Sequence, residues 1–292
     1  MPTDPLPILA LHNGGSGNGI SRYLGLNGCI RRMTLGAAWA ADHEGDEADS
    51  DAGGAASIGT YFHALMESFY NDKEAAVPFE TLNTNPALTE ALRIYSYYRR
   101  RYFAGEFGRI VGCELDCPGE DPEVAGRIKD FYEGEELTAR FDMVVELDAD
   151  ACDYQLTRNK MALEPGIYVV DHKTKKYDEE GLAEKGRRRA QFYHYQMMWN
   201  LAHPDQPCLG LIANYVFRYQ PAKKTGEIDM NKQFRRFFVP PPDAREQNAV
   251  KSVIRDGARN LRERGDLWAN TLHCDDWFRP CPFLSTCTRS NP

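Results

Sequence analysis

Three short stretches carry residues that can do chemistry together. In GIYVVDHKT (166–174), Asp171 and Lys173 stand two apart. In GTYFHALMESFY, His63 and Glu67 stand four apart, the spacing that places both on one helix face. A further acid, Asp142, sits inside ELTARFDMVVEL (136–147). A carboxylate in an otherwise apolar strand needs a partner to offset its burial. Oxygen ligands from Asp142 and Asp171 suit Mg²⁺ or Mn²⁺. Such an ion polarises a phosphodiester and lowers the pKa of a bound water, while Lys173 orients that water and offsets developing negative charge. An imidazole near the two acids tilts the preference toward Mn²⁺. Taken alone, an Asp-x-Lys triplet reads better as an ion pair at a strand end, and a lone His more often as a structural residue. It is their combination that favours a metal centre.

The elements that must position these groups are readable from periodicity. Residues 57–70 and 86–103 have helical apolar stripes, and a helix is expected from Ser21 to about Trp39. RIVGCELDC (109–117), 136–147, 166–174, 208–219 and 232–239 read as strands. Strict alternation puts Leu137, Ala139, Phe141, Met143, Val145 and Leu147 on one face, and Ile167, Val169, Asp171 and Lys173 together on another strand. One helix is expected from about 180 to 201, with Gln191 and Tyr195 one turn apart. Another follows Pro240-Pro241-Pro242, where Asp243 and Glu246 form a capping box. Helices, strands, helix, strands and helix in that order imply a mixed α/β core wrapped by helices.

The ordered set Gly59-x-x-x-His63-x-x-x-Glu67, Asp142, Asp171-x-Lys173, Gln191-x-x-x-Tyr195 resembles the RecB-like branch of the PD-(D/E)XK nuclease superfamily. The resemblance spans about residues 21–287. It implies a restriction-endonuclease-like core, a mixed central sheet flanked by helices. It also implies that His63, Asp142 and Asp171 are metal ligands, assisted by the main-chain carbonyl of His172, and that Lys173 is the catalytic lysine. Glu67, Gln191 and Tyr195 are then the supporting set, and Glu114 is a further candidate used by some members. Arg187 and Arg188, close in sequence to Gln191 and Tyr195, are the basic residues expected to join them on nucleic acid.

Cysteine placement poses a second metal question. Cys29 lies near the start, and Cys274, Cys281 and Cys287 crowd the last twenty residues. Four thiolates can close one tetrahedral site and staple the termini, around either a [4Fe–4S] cluster or Zn²⁺. Here too the resemblance bears on the choice: RecB-like nucleases with an iron–sulfur staple carry similar early and late Cys segments, as do CRISPR-associated RecB-like exonucleases and the AddB C-terminal nuclease domain. Ile30 in place of a proline, and six residues between Cys274 and Cys281, depart from the commoner pattern.

Composition constrains without specifying. The chain has 292 residues, 42% hydrophobic and 27% charged, with a net charge of −8. These are ordinary globular values. DHEGDEADSD (42–51) holds much of the negative charge and reads as a solvated loop; outside it, acids and bases nearly balance. HNGGSGNG lacks the Lys-Ser/Thr of a phosphate loop. Basic clusters occur at Arg99–Arg101, Arg187–Arg189, Lys175-Lys176, Lys223-Lys224 and Arg235-Arg236. They read as solvated faces or phosphate contacts. No apolar run is long enough for a membrane span, and the N-terminus does not read as a signal peptide, so a cytoplasmic protein with thiols or metal-bound cysteines is expected.

The organisation expected is a lead (1–20) and one nuclease domain (21–292). That domain has a helical part to 105, a core from 106 to 240, and a C-terminal helix and Cys tail from 241. The function implied is metal-dependent hydrolysis of DNA, as an exonuclease on single strands or duplex ends. Since no helicase motif is present, unwinding falls to a partner such as a helicase, and an integrase-type partner is equally compatible. The alternatives are a catalytically silent DNA-binding subunit of the same fold and a zinc-stapled RNA nuclease.

Overall fold

The computed structural model describes residues 6–7, 51–71, 75–76, 85–178, 180–187, 189–218 and 230–264. The expected helix at 21–39, the acidic stretch up to residue 50 and the terminal cysteines lie outside these.

Helix α1 (Asp51–Tyr70) packs against α2 (Pro86–Arg101). Asn85 starts α2 by accepting the Leu88 N–H at 3.0 Å, with Pro86 in the first turn where its missing N–H costs nothing. Five strands follow: β1 (Arg109–Cys117), β2 (Ala139–Leu147), β3 (Gly166–Lys175), β4 (Leu211–Phe217) and β5 (Phe234–Val239). Their spatial order matches their chain order, and every neighbouring pair is antiparallel except β3–β4. That parallel pair requires a crossover. It is supplied by α5 (Leu182–Arg187) and α6 (Ala190–Ala202). The single helix expected over 180–201 is therefore two, with Arg189 extended (φ −75°, ψ 119°) at the start of the second.

Beyond the expected set lie a short helical turn, Met230–Gln233, where the strand expected from 232 begins only at Phe234, and two longer helices, α3 (Pro122–Phe131) and α4 (Ala149–Asn159). Both start on an aspartate cap. Asp121 accepts from Glu123 and Val124, and Asp148 accepts from Ala151. The last described helix, α7 (Ala244–Arg264), opens with the anticipated capping box. Asp243 Oδ1 accepts the Glu246 N–H at 2.8 Å, and Glu246 Oε2 accepts the Asp243 N–H at 2.9 Å.

Each face of the sheet carries its own core. One packs Phe141, Val169, Phe192, Trp199, Tyr215 and Val250, joining the strands to α6 and α7. The other packs Phe62, Leu65, Ile94, Val145, Val170 and Ile212, joining them to α1 and α2. Each large apolar side chain so buried contributes about 1.5–3 kcal/mol relative to exposure. This is a mixed five-stranded sheet between helical layers, the architecture of a restriction-endonuclease-like α/β fold.

Strict alternation along β2 does not hold. Leu137, Ala139 and Phe141 belong to the α6-side core, but Met143, Val145 and Leu147 belong to the α1-side core. The switch falls at Asp142. On the partner strand, between the paired positions Cys113–Met143 and Leu115–Phe141, Glu114 adopts φ +51°. The register of the same ladder also slips between Ile110 and Gly112. A non-glycine residue at positive φ is sparsely populated, and such bends re-aim side chains beside functional sites.

Candidate metal centre

The site forms where α1 meets the bent β1–β2 pair and the C-terminal half of β3. Gly59 permits the approach: a Cβ there would lie 3.3 Å from Thr174 Oγ1, closer than most side-chain contacts. One turn on, His63 reaches the strands. Its Nε2 donates to the His172 carbonyl at 2.9 Å, while Nδ1 lies 3.4 Å from Asp142 Oδ1 and 3.8 Å from Glu114 Oε1. Ligand atoms of His63, Glu114 and Asp142 all fall within 4.8 Å of one another. The kink at Glu114 turns that carboxylate toward the group, and Arg140 Nε steadies its other oxygen at 2.9 Å.

Asp142 and Asp171 follow the last paired positions, Met143 and Val170, of the β2–β3 ladder. The His172 N–H donates to Asp142 Oδ2 at 2.6 Å. Asp171 is fully buried. Its Oδ1 accepts from Lys173 Nζ at 2.8 Å, and its Oδ2 has no hydrogen-bond partner among the described residues. A buried carboxylate oxygen left unpaired is costly and marks a place where a further positive group fits. Lys173, on the same strand face, is 23% exposed and so meets solvent.

The electrostatics are those of crowded acids sharing few cations. Burial works against a charged His63, yet Asp142 and Glu114 overcome it and push its pKa up to about 10. Both ring nitrogens face acceptors, the arrangement of an imidazolium. Burial likewise opposes ionisation of Asp142, but His63 and Lys173 hold its carboxyl well below the usual range. Burial, reinforced by the Asp142 charge and opposed by Lys173, pushes Asp171 up to about 6. Lys173 is held above its ordinary value despite burial, by Asp171 and then Asp142.

The remaining expected residues are placed as follows. Glu67 is half-buried on α1, one turn beyond His63. Gln191 Nε2 donates to Tyr195 OH at 2.9 Å. Burial and the Asp171 carboxylate raise the Tyr195 phenol's pKa, so this pair borders the acid–lysine group. Arg187 ends α5, and Arg188 lies outside the described residues, as do Cys29, Cys274, Cys281 and Cys287. Cys117, Cys152 and Cys208 are free thiols. Burial pushes Cys117 and Cys208 up to about 12, leaving them inert.

One basic residue differs from the sequence expectation. Arg236 is neither a solvated face nor a phosphate contact. Its side chain is fully buried, forked onto Glu106 with Nη1–Oε2 at 2.7 Å and Nη2–Oε1 at 2.8 Å. Neighbouring Arg235 is 44% exposed and pairs with Asp178. Alternation on β5 separates the two. The signals for the buried network were Asn214, polar inside the apolar strand LIANYVF, and Glu106 beside Phe107.

Two acids, an imidazole, a third buried acid with an unpaired oxygen and an adjacent lysine form a donor set suited to a hard divalent cation. No curated protein matches the chain. The profile of the PD-(D/E)XK nuclease superfamily matches residues 31–288 and takes in every residue of this site, and by that match the chain belongs to the PD-(D/E)XK nuclease superfamily of metal-dependent nucleases.

Proposed function

We propose that the protein is a Mn²⁺- or Mg²⁺-dependent deoxyribonuclease, acting as an exonuclease on single-stranded or end-bearing DNA. The observation that carries this reading is the convergence of His63, Glu114 and Asp142, beside Asp171 with its unpaired Oδ2. In it, His63, Glu114, Asp142 and Asp171 hold the cation together with the His172 carbonyl. A divalent ion bound there polarises the phosphodiester and offsets the charge that develops on it.

The protein's own groups do the rest. The Lys173 ammonium, fixed by Asp171 and open to solvent, orients the attacking water and offsets charge on the phosphoryl oxygens. The Asp171–Lys173 bond limits the rotamers of the lysine, so the water is held in one direction. Gln191 and Tyr195 offer a hydrogen-bonded amide and phenol to the backbone of the strand being cut. Arg187 and Arg188 add phosphate contacts.

The four terminal cysteines, in this reading, hold a [4Fe–4S] cluster that ties the chain ends together. Iron and acid-labile sulfide in anaerobically purified protein are the expected result; colourless protein with stoichiometric zinc replaces the cluster. For the activity itself, labelled linear DNA, single- and double-stranded, is compared with closed circles and RNA in Mn²⁺ and Mg²⁺. Loss of nucleotides from linear DNA alone is expected. Cutting of circles removes the exonuclease assignment, and cutting of RNA alone removes the DNA one.

A further inference from the structure

The His172 backbone serves two of the site residues at once: its N–H holds Asp142 Oδ2 at 2.6 Å, and its carbonyl receives His63 Nε2 at 2.9 Å. Because side chains alternate along a strand, its imidazole points away from Asp171 and Lys173, among Phe62 and Tyr70. There Nδ1 meets Asn214 Nδ2 at 2.7 Å. The Asn214 amide has one orientation available, because its Oδ1 accepts from Arg236 Nε at 2.9 Å. Its NH₂ group therefore faces His172, where it donates to Nδ1, and also reaches Tyr98 OH at 3.2 Å. Arg236 is fixed in turn by both oxygens of Glu106. Asn214 is wholly buried, and His172 is 2% exposed.

We propose that Asn214 is a positioning residue for the metal centre: through His172 Nδ1 it sets the orientation of the His172 backbone, whose N–H and carbonyl aim Asp142 and His63. The proposal rests on the reading of that site as a metal centre. Freed of Asn214, the imidazole has no polar anchor among the described residues, and any tilt of the His172 backbone moves its contacts to Asp142 and His63 together. Asn214 thus acts across the sheet with no contact of its own to substrate or ion. Groups that orient metal ligands from behind typically govern metal affinity by roughly 10–100-fold.

The test measures Mn²⁺ affinity by titration, thermal unfolding, and kcat and KM on linear DNA. Asn214→Leu removes the donor. Asn214→Ser, whose side chain is too short to reach His172, removes it with less change of polarity. Asn214→Asp accepts from both Arg236 and a His172 Nδ1–H and so restores the anchor. Gln155→Leu is the stability control, since Gln155 Nε2 binds the Glu106 carbonyl at 3.0 Å in the same network without reaching His172.

The expected result is Mn²⁺ binding roughly 10–100-fold weaker in Asn214→Leu and Asn214→Ser, with kcat lowered and KM for DNA unchanged. Asn214→Asp recovers most of the affinity, and Gln155→Leu lowers the unfolding temperature without altering it. Wild-type affinity in a folded Leu or Ser variant overturns the proposal, as does an equal loss in Gln155→Leu. A wild-type protein that neither binds Mn²⁺ nor cuts DNA overturns the metal-centre reading itself, a result distinct from wild-type binding with unaffected variants.

Discussion

Behind His172, Arg236 and Glu106 meet as a bidentate pair with neither side chain exposed, and Tyr70, Tyr98 and Asn214 take up the remaining hydrogen bonds. In front of it, Glu114, Asp142 and Asp171 gather around His63 and Lys173, and one buried oxygen of Asp171 stays unpaired. Both regions bury several charges within one sheet. In the first, charge and hydrogen bonds match, so the cluster specifies packing. In the second they do not match, and the backbone at Glu114 is bent to keep it so. Proteins tolerate such mismatch where function requires it. The difference predicts that damage to the front cluster removes activity while the fold stands, and that damage to the rear cluster removes stability.

The largest effect belongs to the front. Asp171→Asn is expected to cut DNA cleavage roughly a thousandfold, about 4 kcal/mol of transition-state stabilisation. Its unfolding temperature should equal or exceed that of the wild type, because burial and the Asp142 charge make the ionised Asp171 costly despite its bond to Lys173. Single-turnover cleavage and calorimetry of the same samples check both halves, and near-normal cutting breaks the contrast.

Arg236→Met makes the opposite case. It leaves Glu106 buried without its cation, at a cost of about 3–5 kcal/mol in denaturant unfolding. Adding Glu106→Gln to that variant should recover much of the loss. A single variant as stable as wild type would show that the rear pair does not organise the core.

Acid sharpens the comparison next. Burial holds His194 neutral, with its pKa pushed down to about 4, and His172 likewise, down to about 3. The unfolded chain takes up these protons near 6.5, whereas the folded protein does not. Stability of the metal-free protein is therefore present above pH 6.5 and lost as pH falls, levelling off near 4 for His194 and near 3 for His172. The slope is about 1.4 kcal/mol per pH unit for each histidine. His194→Gln should flatten it in a pH series of urea titrations, and an unchanged slope removes His194 from the account.

The smallest effect lies outside both clusters. Asp243→Ala opens the capping box of α7 and should cost about 1 kcal/mol without changing cleavage.

Much of this was legible in the sequence because it depends on local spacing. Asp171 and Lys173 share a strand face, His63 and Glu67 lie a turn apart on α1, and Gln191 bonds Tyr195 at i, i+4. The order of helices and strands implied a mixed α/β core, and the family resemblance implied its restriction-endonuclease-like form. What depends on departures from regular period was not legible. Alternation along β2 could not reveal that the strand pair changes phase at Asp142, because the cause, Glu114 at positive φ, sits on another strand. The same departure moved Glu114 from a marginal candidate into the centre of the ligand cluster. Arg235 and Arg236 look alike as a basic dipeptide; alternation on β5 turns them to opposite faces, and Glu106, distant in sequence, receives the buried one. Helices α3 and α4 were signalled by Asp121 and Asp148, short polar caps easily read as turns.

On the proposed reading of the site, the front cluster exchanges a proton for a divalent cation. With the His63 imidazole protonated up to about pH 10 in the metal-free protein, a cation entering between His63, Glu114 and Asp142 must displace that proton. Calorimetric titration with Mn²⁺ at pH 8, in two buffers of different ionisation enthalpy, measures this directly. Binding with release of about one proton is expected, with loss of both in Asp142→Asn. Undiminished Mn²⁺ binding by Asp142→Asn, with no proton released by either protein, would contradict it.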